Sequence, residues 1–113
     1  MNLTHEQLID ILKTKIEVDE YGTKWWYLNG QRHRVDGPAI EYSNGIKWWY
    51  LNGKIHRTDG PAVEYKDGSQ WWYLNDELHR TDGPAIVEST GSKFWFLNGK
   101  QITEDEFNKR TTD

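Results

Sequence analysis

Three copies of a His-Arg-x-Asp motif carry the side chains best suited to chemistry in this chain. They begin at His33, His56 and His79, spaced 23 residues apart. Imidazole and carboxylate groups can bind metals or exchange protons, but equivalent side chains two strands apart would lie roughly 10 Å from each other. A single His–Asp pair also supplies too few ligands for a closed zinc site. We therefore expect each histidine to bond a backbone group or the nearby aspartate, and each arginine to pair with that aspartate.

No arrangement typical of an enzyme accompanies these motifs. The chain lacks cysteine, a G-x-S-x-G nucleophile turn and a phosphate-cradling glycine-rich loop. Thr58 does place a hydroxyl between Arg57 and Asp59, but threefold repetition favours a structural role for the motif. We predict a protein without catalytic activity, bound metal or cofactor.

Tryptophan pairs recur with the same spacing and are the strongest candidates for a binding surface. Successive residues of a strand point to opposite faces, so the two members of each pair should line different faces. The candidate face combines the first tryptophans with the arginines of the motifs through cation–π contacts: Trp25, Trp48, Trp71, Arg34, Arg57 and Arg80. Two interpretations stay open, because the rows could form the core of a thin array or an exposed row could bind a partner.

Composition limits the classes of partner. The chain has 14 basic and 18 acidic residues with interspersed signs, giving a formal charge of −4. Duplex nucleic acid and anionic membranes usually require a basic patch, so neither is an expected partner. No apolar run reaches transmembrane length and no signal peptide is recognisable, so we expect a cytoplasmic protein. Tryptophan beside arginine is compatible with one small nucleotide-like ligand.

The repeat defines the predicted architecture. Full copies span 24–46, 47–69 and 70–92, and a partial copy spans 93–101. A period of this size indicates stacked supersecondary units. Each copy should supply two strands, and a further strand is expected near Ile16–Asp19. We therefore predict an all-β solenoid of about eight strands, arranged as one antiparallel meander sheet from 3.5 β-hairpin repeats.

A helix is predicted at each end of this array. Thr4 with Gln7, and Thr103 with Glu106, fit the capping box, in which two side chains satisfy free N–H groups of the first turn. The N-terminal segment 1–20 should hold a helix at about 4–16, and the C-terminal segment 102–113 a helix at about 104–109. The caps would complete one domain over residues 1–113 and shield the terminal strands from edge-to-edge association.

Two turn signals divide each copy. Asn29-Gly30 and its equivalents favour a type I′ hairpin turn, in which both central residues need positive φ. Asn75-Asp76 is a weaker version of this turn, because aspartate tolerates positive φ less well than glycine. Asn44-Gly45 and its equivalents are predicted to form a second two-residue turn.

The second turn leads to a prediction about strand register. A two-residue turn places Ile40 opposite Trp49, on the face of His33, although seven residues separate His33 from Ile40. Strict alternation forbids this unless one residue is absorbed between them. Glycine and proline in a strand mark a bulge or bend, so Asp36-Gly37-Pro38 is predicted to be a corner, repeated in the next two copies.

The repeats resemble MORN-type repeats, especially the variant MORN class, over roughly Ile16–Ile102. Shared features are a period near 23, an aromatic strand, an Asn-Gly turn and a following Asp-Gly turn. The string WYLNGK-x-HR-x-DGPA, present at Trp49–Ala62, looks like repeat proteins encoded by bacteriophages and large DNA viruses. The resemblance implies a hairpin meander, no catalytic residues and an interaction role, with a host protein, such as a defence component, as partner.

Three functions are therefore compatible with the sequence. The first is a non-catalytic protein-interaction module that engages a host protein. The second is a sponge that sequesters a nucleotide-derived small molecule in a slot between tryptophan and arginine. The third is a structural or assembly role for the repeats, with the oligomeric state left open.

Overall fold

Short antiparallel strands make up most of the fold. The computed structural model describes residues 2–112, and the expected domain limits at residues 1 and 113 lie outside that range. Fourteen strands lie within it: β1 Lys15–Val18, β2 Lys24–Leu28, β3 Gln31–Arg32, β4 Ile40–Glu41, β5 Lys47–Trp48, β6 Tyr50–Leu51, β7 Lys54–Ile55, β8 Val63–Glu64, β9 Gln70–Trp71, β10 Tyr73–Leu74, β11 Glu77–Leu78, β12 Ile86–Val87, β13 Lys93–Leu97 and β14 Lys100–Ile102.

These strands form a meander, as the repeat predicts. The main sheet has the order β1-β2-β4-β5-β8-β9-β12-β13-β14, with β3 beside β2, and every pairing is antiparallel. The hairpins β6–β7 and β10–β11 form two small ladders of their own. The predicted all-β class and meander topology are confirmed. The radius of gyration is 15.7 Å against about 13 Å for a compact chain of this length, so the array is elongated.

The N-terminal helix ends earlier than predicted. Helix α1 spans His5–Lys13, and Thr4 and Gln7 form the predicted capping box with bonds of 2.8 and 3.0 Å. The expected helix over about 4–16 is too long, because Thr14 adopts an extended conformation and begins the path into β1.

The C-terminal helix extends beyond its predicted end. Helix α2 spans Glu104–Thr112, against the expected 104–109. Thr103 and Glu106 exchange the two bonds of the predicted capping box, at 3.0 and 3.1 Å. Neither helix in residues 2–112 is long and apolar enough to cross a bilayer.

In each repeat a loop separates the two short strands that follow the aromatic strand, such as β7 and β8 in the second repeat. The N–H of Trp49 donates to the carbonyl of Ala62 at 2.8 Å, whereas its own carbonyl accepts from His56 at 3.0 Å. Residues between His56 and Ala62 bulge away from the sheet in a series of bends. The corner predicted at Asp-Gly-Pro is therefore present, as a loop wider than a single-residue bulge.

The two turns of each repeat differ in geometry. Asn29 and Gly30 have φ of 52° and 77°, and even Asn75 and Asp76 have 48° and 70°, as the type I′ prediction requires. In the second turn only the glycine has positive φ, with 96° at Gly45.

The second turn is one residue longer than predicted, which changes the register. The N–H of Tyr42 donates to the carbonyl of Ile46, and Gly45 donates to Tyr42, both at 2.9 Å. This closes a three-residue loop with glycine in the left-handed position. Ile40 consequently pairs with Trp48, so its predicted pairing with Trp49 is wrong, and the parity argument that led to the corner does not hold.

One row of side chains crosses the whole sheet. Pairing places large and small apolar residues opposite one another in the order Trp25, Ile40, Trp48, Val63, Trp71, Ile86 and Phe94. Val63 is 1% exposed, whereas the tryptophans beside it are half-buried. The aromatic rings thus cover the aliphatic side chains between them. We call this side of the sheet, with the tyrosines that stack on it, the ladder face.

Candidate binding surfaces

Each motif arginine stacks on the second tryptophan of its repeat. The guanidinium carbon lies 4.0 Å from the ring centroid for Arg34 over Trp26, and 3.9 Å for Arg57 over Trp49. The pair Arg80 and Trp72 repeats the contact at 3.9 Å. The predicted pairing of these arginines with Trp25, Trp48 and Trp71 is wrong. The loop carries each arginine back over the opposite side of the sheet, so the candidate face divides into two separate surfaces.

The glycine of each Asp-Gly-Pro triplet makes room for this stack. A Cβ built at Gly60 would lie 2.9 Å from the guanidinium carbon of Arg57, and one at Gly37 would lie 2.7 Å from that of Arg34. Such distances are closer than carbon atoms tolerate without movement. Glycine thus allows the guanidinium group to approach closely, and a Cβ here would displace the arginine side chain; its role is not a left-handed conformation, since its φ is not positive.

The arginines already have carboxylate and carbonyl partners. In the second repeat, Arg57 bonds Asp59 at 2.9 Å, the carbonyl of Pro61 at 3.0 Å and Glu64 at 3.0 Å. The predicted Arg–Asp pairing is confirmed there and in the other two copies. Hydrogen bonding to Arg80 lowers the pKa of Asp82. The guanidinium groups therefore hold the Asp-Gly-Pro corners in place. Because carboxylates already neutralise their charge, they would attract an anionic ligand only weakly.

The motif histidines join each repeat to the next. His33 Nδ1 accepts the backbone N–H of Asn52 at 2.9 Å, and His56 accepts that of Asn75 at 3.1 Å. His79 repeats the bond in the last copy. The predicted bonding to a backbone group is confirmed. Across residues 2–112, no cluster of three or more histidine, aspartate or glutamate side chains is arranged to hold a metal ion.

A row of grooves lies between successive corners on the arginine side. The first has a volume of about 800 Å³, a floor that includes Trp49 and Leu51, and contributions from Leu3 and Gln7 of the N-terminal segment. The second, of about 610 Å³, is built from the equivalent residues one repeat later. At the third corner, Arg110 of α2 donates to the carbonyl of Thr81 at 3.1 Å. The terminal segments thus occupy both ends of the row.

The ladder face is a second, aromatic surface. Trp48 stacks on Tyr50 with centroids 6.2 Å apart, and Trp71 stacks on Tyr73 at 6.5 Å. The edge of Tyr65 meets Trp71 at 5.7 Å. Burial raises the pKa of all three tyrosines. These ring contacts join side chains of the sheet and its turns to one another, and these residues are half-buried.

Sequence reasoning overlooked the tyrosines of this face. Tyr50 and Tyr73 each lie two residues after a ladder tryptophan, so alternation alone would have placed them on the same side. Tyr42 and Phe94 are the most exposed large side chains of the face.

Comparison with protein-family models, with curated proteins and with solved structures finds no match to this chain. The MORN-like identity of the repeats stays a prediction that depends on the motifs quoted above.

Proposed function

We propose that this chain is a non-catalytic protein-interaction module and that its partner binds the ladder face. The observation that supports the proposal is the row that crosses one side of the sheet, in which half-buried tryptophan rings alternate with buried aliphatic side chains. Tryptophan and tyrosine are the side chains that most often dominate protein interfaces, because they bury large areas at little conformational cost. A row that is rigid before binding lowers that cost further.

The expected partner is a host protein. The repeats resemble phage and viral repeat proteins, and this resemblance favours a module that acts in the host cytosol, for instance on a defence component. The ladder face fits a partner with a flat apolar patch. Charged groups lie among its rings: the guanidinium carbon of Arg32 is 5.6 Å from the ring centroid of Tyr50, and Glu88 lies near Tyr65.

The small-molecule sponge has one observation in its favour. The groove of about 800 Å³ has a volume typical of ligand pockets and contains Trp49. However, the nearby guanidinium groups of Arg34 and Arg57 are already bound to carboxylates, which leaves little attraction for a phosphate. The interaction role is therefore better supported.

A photo-cross-linking experiment tests the proposal. A photoreactive amino acid replaces Tyr42 on the ladder face or, as the control, Thr58 on a corner, and each protein is irradiated in lysate of the cells where it occurs. We expect a specific protein adduct from position 42 and not from position 58. The partner protein identified in this adduct, once purified, should bind the wild-type chain and the Thr58→Glu variant, but not the Tyr42→Glu/Phe94→Glu variant.

Two results would contradict the interaction role. One is equal binding of the purified partner by both variants, with circular dichroism showing that both are folded. The other is release of a stoichiometric small molecule from the denatured protein, detected by mass spectrometry, with no adduct from position 42. That second result would favour the sponge.

A further inference from the structure

The first strand leaves one edge of the sheet open. β1 is the terminal strand in the sheet order, and all four of its residues are exposed. Terminal strands carry unpaired backbone groups and are templates for association with another chain. The N-terminal helix lies over the face of the sheet rather than over this edge. Its position is shown by Asp10, whose Oδ2 lies 3.5 Å from Nε2 of His33.

The direction of the free backbone groups follows from the neighbouring strand. Trp26 donates its N–H to Ala39 and accepts at its carbonyl from His33, so both groups point away from β1. Ile16 is its partner in β1. Opposed residues of an antiparallel ladder exchange both bonds or neither, so the N–H and carbonyl of Ile16 face the open edge. Those of Val18 do the same, two residues on.

Apolar side chains collect beside this edge. Ile16 shares the face of Trp26, which is also the side on which α1 lies, and Val18 follows it on that face. Leu8 and Leu12, four residues apart on one stripe of α1, are exposed as well, and Leu12 is 85% exposed. An edge strand and an exposed leucine stripe therefore occur together at the same end of the molecule.

We propose that β1 pairs antiparallel with β1 of a second copy of this chain, about a twofold axis at Ile16. Ile16 has outward backbone groups, so it can exchange both bonds with Ile16 of the second copy. Lys15 then lies opposite Glu17 of the second copy, and symmetry makes this pair occur twice. Directly opposed charges of unlike sign stabilise a strand pair, and like charges destabilise it.

The other twofold registers are less favourable, because an axis at Val18 places Glu17 opposite Asp19 of the second copy, two charges of the same sign. An axis at Glu17 also matches outward groups, but it places the two Glu17 side chains directly opposite each other. Charged residues normally protect an edge from pairing. Here the order of Lys15 and Glu17 makes the edge complementary to itself in one register.

The twofold axis also explains the exposed leucines. It stands perpendicular to the joined sheet, so both copies of α1 lie on the same side, next to the seam. Leu8 and Leu12 of one copy can then pack against those of the other, above Ile16. The two ladder faces lie together on the opposite side, and a dimer would present a partner with one aromatic surface of double length.

Charge exchange at the edge tests this inference on the full chain. Sedimentation equilibrium over a concentration series should give twice the 13.4 kDa chain mass for the wild type. Lys15→Glu alone or Glu17→Lys alone opposes like charges twice and should raise the dimer dissociation constant about tenfold or more. An equimolar mixture of the two variants should dimerise again, because unlike charges then face each other. Lys100→Glu, on the other terminal strand, is the matched control and should behave as wild type.

Two outcomes of the sedimentation experiment would overturn the inference, and one would support it. A wild-type chain that stays at the monomer mass throughout the series overturns the inference. So does a mixture that associates no better than either variant alone, since misfolding of a variant would be visible in its circular dichroism. Recovery in the mixture, with dimerisation of the control unchanged, supports the Ile16-centred register.

Discussion

Replacing the three motif histidines one at a time should show that the first contributes more to the free energy of unfolding than the other two. Each histidine accepts a backbone N–H from the following repeat in the same geometry, but the surroundings differ. His33 is 3% exposed, whereas His56 and His79 are only partly buried. Water can replace the lost acceptor at the last two sites and has little access at the first.

The magnitudes follow from the cost of an unpaired donor. A neutral hydrogen bond contributes about 1 kcal/mol, and a buried donor left without a partner costs about 1–3 kcal/mol. We expect His33→Ala to lower the free energy of unfolding by about 3 kcal/mol, because it also removes a buried ring. His79→Ala should cost about 1 kcal/mol, and His56→Ala a similar amount.

A conservative substitution isolates the hydrogen bond from the loss of the ring. In asparagine, Oδ1 branches from the side chain at the same point as Nδ1 of histidine and can accept the same N–H. His56→Asn should therefore recover most of the stability lost in His56→Ala. Urea unfolding followed by tryptophan fluorescence and by circular dichroism gives the free energies, and coincident curves check that the transition is two-state.

Two results would refute this account of the histidine bonds. If His79→Ala proves as costly as His33→Ala, burial does not control the energy of these bonds. If His56→Asn is no more stable than His56→Ala, the bond to Asn75 contributes nothing and the ring acts through packing alone.

Four further predictions concern other parts of the repeat. Gly60→Ala should displace Arg57 from its tryptophan and cost about 1 kcal/mol, and a crystal structure with the stack intact would contradict this. Asp76→Gly should leave stability within about 0.5 kcal/mol in urea unfolding, because relief of positive φ offsets the lost 2.7 Å bond to Ile55, whereas Asp76→Ala should lose about 2 kcal/mol. Burial raises the pKa values of Tyr50, Tyr65 and Tyr73, so the folded state holds the protons of these three phenols more tightly than the unfolded chain. That stabilisation is complete below about pH 10 and should be lost above it, as tyrosinate absorbance in folded and urea-unfolded samples would show; identical titrations would refute it. Deleting 47–69 should leave a shorter, cooperatively folded array by circular dichroism, whereas deleting 93–113 should abolish the cooperative transition.

The sequence was sufficient to predict the meander, the helix caps and the first turn of each repeat. These features depend on local chemistry: Thr4 with Gln7, and Asn29 with Gly30, act within a few residues of each other. The strict period did the rest, because one correct hairpin implies the others. The histidine and arginine partners also followed, since a motif present three times is more often structural.

The composition of the binding surface could not be predicted in the same way. One part of the error came from the second turn: assigning two residues where the chain uses three shifts Ile40 by one position and places it on the wrong face of the sheet. The sequence signal at Asn44-Gly45 is compatible with either loop length. The stack of Arg34 on Trp26 then depends on a loop that leaves the sheet and returns, and no local pattern specifies that path.

The repeat unit read from the sequence is not a complete structural unit. His79 accepts from Asn98, Arg80 donates its N–H to the carbonyl of Phe96, and Gly99 donates to the carbonyl of Leu78. The third repeat therefore needs the partial fourth copy, just as each earlier repeat needs its successor. An internal deletion of one period restores every such bond across the new junction, whereas removal of the C-terminal segment leaves Nδ1 of His79 and the backbone N–H of Arg80 without these partners. This dependence explains why the array ends in half a repeat followed by a helix: strand β13 and its hairpin complete the last histidine bond, and α2 then covers the third corner.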